Sequence, residues 1–61
     1  MSPKFEKGQK VVFRVNGITK TGLVETIDTF FGHTEIQYDI YVEKEECLFK
    51  HVADSDVLAR Q

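Results

Sequence analysis

The chain has 61 residues, one cysteine and a formal net charge of −2. A domain of this size buries only about 60% of the surface that its unfolded chain exposes, which leaves little material for a deep catalytic cavity. A hydrophobic content of 41% and a charged content of 30% exclude a disordered chain. We therefore expect one domain over residues 1–61, with no catalytic residues, no metal site and no cofactor.

The first predicted element is a tight hairpin. Residues 1–7 are expected to form a flexible arm that Phe5 attaches to the domain. In the strand that follows, Lys10–Val15, every second residue is apolar, which is typical of a half-buried strand. Asn16-Gly17 comes next, and this pair is a strong hairpin signal because a type I′ turn needs positive φ at both central residues.

The return strand is predicted from residue 18 to about residue 30, which is long for a small domain. Its apolar residues do not keep one parity, since Leu23, Val24 and Ile27 cannot all face the same side. Gly22 is the expected position of a bulge or sharp bend that resets the phase. Such a bend would allow one strand to serve both halves of a small barrel.

The second half of the chain predicts three further strands. Residues 35–43 alternate strictly, with one face formed by Ile36, Tyr38, Ile40 and Val42. A charged turn is expected at 44–46, a fourth strand at 47–51, and a closing strand at 57–59. Residues 53–56 have the short polar side chains of a single 3₁₀ or helical turn. The prediction is an all-β, five-stranded small barrel with one short turn of helix before its last strand.

Four short segments share the pattern of one family of small barrels: Gly8-Gln9-Lys10-Val11-Val12-Phe13, Gly22-Leu23-Val24, Tyr38-Asp39-Ile40-Tyr41-Val42 and Ala53-Asp54-Ser55-Asp56-Val57. With these segments the chain resembles the SH3-like small barrels of bacteria, of the KOW and Tudor-like type, including small uncharacterised bacterial and phage proteins. The resemblance implies the fold of residues 8–59. The chain departs from the KOW motif because Asn16-Gly17 replaces its basic, glycine-rich loop, which weakens the inference of ribosome or RNA binding.

The residues that could carry chemistry are better explained without it. Cys47 and His51 lie on one predicted strand about 13 Å apart, too far for a nucleophile and its base, so Cys47 is interpreted as a small packing residue. His33 is assigned to a loop. Glu45-Glu46 is interpreted as a solvated turn without a pocket that would shift either pKa.

The aromatic residues suggest a binding surface. Phe13 and Tyr38 have the inward parity and are assigned to the core. Seven aromatic residues exceed what so small a core can bury, and exposed aromatic residues often anchor partners. The candidate binding residues for a protein or peptide partner are Phe30, Phe31, Tyr41 and Phe49. The alternative is that they cap an open barrel end or cover the N-terminal arm at Phe5.

A second hypothesis is weak nucleic-acid binding by a face containing Lys10, Arg14 and Lys20. Residues 1–24 contain five cations and one acid, whereas residues 25–61 contain three cations and nine acids. The acids on neighbouring strands would repel phosphate, and the low isoelectric point, near 5.5, is unlike that of strong nucleic-acid binders. Cross-strand charge pairing is the alternative role for these three cations.

A third hypothesis is that the exposed edge at 57–59 pairs with a strand of a partner protein. The chain is then a monomer or a weak homodimer. One cysteine excludes an intramolecular disulfide and favours a reducing compartment, so we expect a cytoplasmic protein. The longest apolar run has three residues, so no membrane association is expected.

Overall fold

A computed structural model of the chain describes residues 3–29 and 35–61. Within them, the backbone forms a single antiparallel sheet of five strands. The elements are β1 (Lys10–Val15), β2 (Ile18–Asp28), β3 (Gln37–Val42), β4 (Cys47–Ala53) and β5 (Val57–Arg60), with 3₁₀ turns at Glu43–Glu45 and Asp54–Asp56. The predicted all-β class and the 3₁₀ turn before the last strand are confirmed.

Some element boundaries differ from the prediction. The second strand ends at Asp28 rather than near residue 30, and β4 continues two residues beyond His51 to Ala53. The charged turn begins with a 3₁₀ turn at Glu43–Glu45, and Glu46 follows it in the left-handed region with a φ of 50°. Charged and short polar residues indicate that a turn is present, but they do not specify the residue at which it begins.

The β1–β2 hairpin has the predicted geometry. Val15 pairs with Ile18 across a two-residue turn in which Asn16 and Gly17 have φ values of 50° and 77°. Asn and Gly adopt positive φ at the lowest cost, so this turn sets the register of both strands. In that register Phe13 lies opposite Lys20.

The sheet is open but strongly curled. Its strand order is β4-β3-β2-β1-β5, so β4 and β5 are the two edges, and the expected closed barrel is not confirmed. Strands β1 and β4 are separated by two others, which in a flat sheet would put them about 14 Å apart. The rings of Phe13 on β1 and Phe49 on β4 nevertheless pack edge to face with centroids 5.7 Å apart. The curl therefore brings distant strands around one core.

Two register shifts at the same level of the sheet account for part of this curl. Glu25 is an extra residue in β2, between Val24 and Thr26. On the other side of β3, two residues of β4, Lys50 and His51, lie opposite Asp39. Bulges bend a strand and increase its twist, so paired bulges bend the sheet along one line.

Gly22 is not the bulge that the sequence predicted. It pairs regularly with Val11, and the register shift comes three residues later. Its role is to allow close approach, because a Cβ built at this position would lie 2.6 Å from the backbone oxygen of Tyr41 and 2.8 Å from Cγ2 of Ile40. Only glycine at this position allows β2 and β3 to approach each other this closely.

The core lies on the inner face of the sheet. Its buried apolar residues are Phe5, Val11, Phe13, Val24, Ile36, Tyr38, Ile40, Val42, Val52 and Val57. Phe13 and Tyr38 are fully buried, as predicted. Phe5 packs edge-on against Tyr38 with ring centroids 5.9 Å apart, which attaches the N-terminal segment to the core. Cys47 is exposed, so its interpretation as a packing residue was wrong.

Candidate interaction surfaces

The outer face of the sheet carries a row of apolar side chains centred on Tyr41. Tyr41 lies between Ile40 and Val42, which both point into the core, and therefore faces the opposite side. Its cross-strand neighbours are Leu23 on β2 and Leu48 on β4. Directly opposite residues have Cβ atoms about 5 Å apart, so the three side chains are adjacent. We call Leu23, Tyr41 and Leu48 the outer row.

The outer row is partly open to solvent. Leu48 is 40% exposed, and the side chains of Leu23 and Tyr41 are half-buried. None of the three belongs to the core cluster on the inner face. Leu23 and Leu48 were not among the predicted site residues, although counting back from the Asn16-Gly17 turn would have placed Leu23 on the outer face.

The two predicted aromatic site residues that the structure describes, Tyr41 and Phe49, lie on opposite faces of the sheet. Tyr41 is on the outer face, whereas Phe49 packs against the core through Phe13. Phe30 and Phe31 lie outside the described residues. Phe49 is half-buried, so part of its ring remains accessible. The structure thus associates Tyr41 with two leucines rather than with Phe49.

The three predicted cations are also divided between the two faces. Lys10 and Arg14 have the outer parity of β1, whereas Lys20 lies directly opposite Phe13 and shares its inner side. The Lys20 ammonium is 2.6 Å from a carboxylate oxygen of Glu45 and 5.6 Å from the centre of the Phe49 ring. The Lys20 ammonium therefore interacts with groups of the domain itself, the Glu45 carboxylate and the Phe49 ring.

The acids that pair with Lys20 and Arg14 come from the two 3₁₀ turns. Glu45 belongs to the first turn, and Asp56 of the second lies 3.5 Å from the Arg14 guanidinium. The expected pairing across neighbouring strands is thus replaced by pairing between a strand and a turn. Exposed pairs of this kind contribute about 0–1 kcal/mol each, so they orient side chains more than they stabilise the fold.

A polar network around Tyr38 joins three segments of the chain. The Tyr38 hydroxyl donates to a carboxylate oxygen of Asp54 at 2.7 Å and accepts from the backbone N–H of Lys4 at 3.2 Å. The Lys4 ammonium is 3.4 Å from the other carboxylate oxygen of Asp54. The network holds the N-terminal segment, β3 and the second 3₁₀ turn together at one end of the core. Burial, together with the hydrogen bond to Asp54, raises the pKa of Tyr38 to about 12.

The raised pKa of Tyr38 predicts a loss of stability at alkaline pH. In the unfolded chain its hydroxyl ionises near pH 10, whereas the folded state retains the proton until about pH 12. The unfolded state then binds fewer protons than the folded state, so the free energy of unfolding falls as pH rises from 10 to 12. Urea unfolding across this range should show that fall in the wild type. The fall should be smaller in Tyr38→Phe, which shares every lysine with the wild type, and equal slopes would contradict the assignment.

The structure does not bring together the remaining candidate catalytic or metal-binding residues that it describes. Cys47 begins β4, and His51 sits in the β4 bulge with its ring Nδ1 3.1 Å from Oε1 of Gln37. Of the paired glutamates, Glu45 contacts Lys20. His33 is outside the described residues. In the part of the chain that the structure describes, no three His, Cys, Asp or Glu side chains are grouped to hold a metal ion.

Comparison with protein-family models, with curated proteins and with solved structures found no match to this chain. Residues 3–29 and 35–61 contain no helix of the length and apolarity that crossing a membrane requires.

Proposed function

We propose that the chain is a small SH3-like module that binds a partner protein through the outer row and catalyses no reaction. The curled five-stranded sheet and the polar 3₁₀ turn before β5 support the SH3-like assignment. Because the chain has a single cysteine, which is exposed and free, we place the protein in a reducing compartment such as the cytoplasm.

The observation that carries the proposal is the position of the outer row on the face opposite the core. Leu23, Tyr41 and Leu48 come from three adjacent strands and are held side by side by the backbone register. Because the strands fix the backbone of these residues, a partner that covers them has only their side-chain rotamers to order. An aromatic residue flanked by aliphatic residues is a common centre of protein interfaces.

Affinity capture with two matched variants tests the proposal. The purified chain is used to capture proteins from an extract of its own cells, beside Leu48→Lys and Ile18→Lys. Both substitutions introduce the same charge at an exposed aliphatic residue of the sheet, but Ile18 lies beside the hairpin turn, outside the outer row. Each should change the free energy of unfolding by no more than about 0.5 kcal/mol, because surface substitutions usually do.

The expected result is a partner that the wild type and Ile18→Lys retain equally and that Leu48→Lys loses. A buried, unpaired charge at the centre of an interface weakens binding by at least tenfold, about 1.4 kcal/mol. Capture of no partner, or of the same partners in equal amounts by all three proteins, would overturn the proposal.

A further inference from the structure

A second surface, separate from the outer row, lies where the curl brings β4 close to the end of β1. It is a groove of about 250 Å³. The lining residues used below are Arg14, Asn16, Phe49, Lys50, His51 and Asp56. Because the groove forms between strands that are not hydrogen-bonded neighbours, no local pattern in the sequence predicts it. We call it the Phe49 groove.

The Phe49 groove is cationic although the chain as a whole is acidic. Two cations, Arg14 and Lys50, and one carboxylate, that of Asp56, line the groove. The chain as a whole has a formal charge of −2. Arg14 contacts Asp56 through one nitrogen at 3.5 Å, and both side chains are about half exposed. A guanidinium has five N–H donors, so Arg14 retains donors for a second carboxylate.

The backbone around the groove has unusual conformations on both sides. Asn16 and His51 both have positive φ, 50° and 59° respectively. His51 lies in the β4 bulge, where its N–H donates to Oδ1 of Asp39 at 3.1 Å and its ring contacts Gln37. A bulge beside a binding site commonly redirects a side chain, and here it places His51 among the residues that line the groove.

We propose that the Phe49 groove binds an acidic peptide segment of a partner protein. Arg14 and Lys50 pair with carboxylates of that segment, and the half-buried Phe49 ring provides an apolar wall. A peptide fits better than a nucleic acid, because single-stranded nucleic acids need a basic path along several phosphates. The third predicted cation, Lys20, is already paired with Glu45 and does not extend such a path.

Nuclear magnetic resonance titration of the ¹⁵N-labelled full chain tests this site. The probes are a glutamate hexapeptide, a glutamine hexapeptide and an oligothymidylate. The glutamate peptide should shift the amide signals of Asn16, Phe49 and His51 and leave those of Tyr41 and Leu48 in place. The glutamine peptide should shift none of them.

Charge variants then determine which residues bind the peptide. Arg14→Gln and Lys50→Gln should each weaken glutamate-peptide binding about threefold. Asp56→Asn should tighten binding about twofold, because it removes a repelling carboxylate and releases Arg14. Lys10→Gln is the matched control: the residue is exposed on the same strand, about 13 Å from Arg14. If Arg14→Gln alters the fold, Lys50→Gln and Asp56→Asn carry the test.

Three results would overturn the inference. The first is the absence of groove shifts with the glutamate peptide. The second is equal weakening by Lys10→Gln and by Lys50→Gln, which would indicate diffuse attraction. The third is tighter binding of oligothymidylate than of the glutamate peptide in the same groove, which would make it a nucleic-acid site. Because the variants do not touch the outer row, failure here is distinguishable from failure of the proposed function.

Discussion

Replacement of Gly22 by alanine is expected to remove a large part of the protein's free energy of unfolding. The added Cβ would lie 2.6 Å from the Tyr41 backbone oxygen, and a backbone atom cannot move aside as the end of a side chain can. Overpacking of this kind costs about 1–3 kcal/mol or more. A single core in a chain this short rarely supplies more than about 3–5 kcal/mol. Far-ultraviolet circular dichroism during urea unfolding measures the loss.

Gly17→Ala is the control for this substitution. Gly17 has a φ of 77°, but no atom lies within 4 Å of a Cβ built there. Its substitution therefore imposes only the cost of a left-handed alanine, about 1–2 kcal/mol. A loss in Gly22→Ala no larger than that in Gly17→Ala would show that the close approach of β2 and β3 does not explain the glycine at position 22.

Phe13→Ala is expected to have the largest effect of any substitution in the core. Phe13 is fully buried on β1 and contacts the Phe49 ring. Truncation of a buried phenylalanine costs about 3–5 kcal/mol, and the loss of an edge-to-face ring pair is part of that cost. We expect this variant to show the circular dichroism of an unfolded chain and no cooperative melting transition.

Leu58→Ala serves as the control for Phe13→Ala. Leu58 lies on β5, next to β1, and is 48% exposed. Its truncation should change the free energy of unfolding by less than about 0.5 kcal/mol. A folded Phe13→Ala variant with a loss below about 1 kcal/mol would contradict the placement of Phe13 at the centre of the core.

The features that local pattern determines were predictable from the sequence. Strict alternation in residues 35–43 identified the inward face of β3, and Asn16-Gly17 identified the first hairpin. The same turn also fixes which β2 residues oppose β1. Counting across it pairs Phe13 with Lys20, so the separation of Lys20 from Lys10 and Arg14 was available from the sequence.

The features that depend on contacts between distant segments were not predictable. Neither of the two bulges beside β3 contains a glycine: the one in β2 is at Glu25, and the one in β4 includes His51 with positive φ. Leu48 joins the outer row only because the turn after Val42 sets the β3–β4 register. The Phe49 groove depends on the overall curl of the sheet, which no short segment encodes.

The two proposed surfaces use different physical chemistry, so each can be tested while the other is intact. The outer row is apolar and lies on β2, β3 and the start of β4. The Phe49 groove is charged and lies at the curled end, where β1 approaches β4. A partner that presents an apolar patch followed by an acidic segment would contact both, and its affinity would then combine the two contributions.

Solvent paramagnetic relaxation by a soluble gadolinium chelate tests most directly whether the outer row faces water while the core occupies the opposite side of the sheet. Tyr41 and Ile40 are neighbours in the chain but face opposite sides. We predict strong relaxation of the Leu48 methyl groups, intermediate relaxation of the Tyr41 ring and almost none of the Ile40 and Val24 methyl groups. Protection of Leu48 and Tyr41 equal to that of Ile40 would contradict the account.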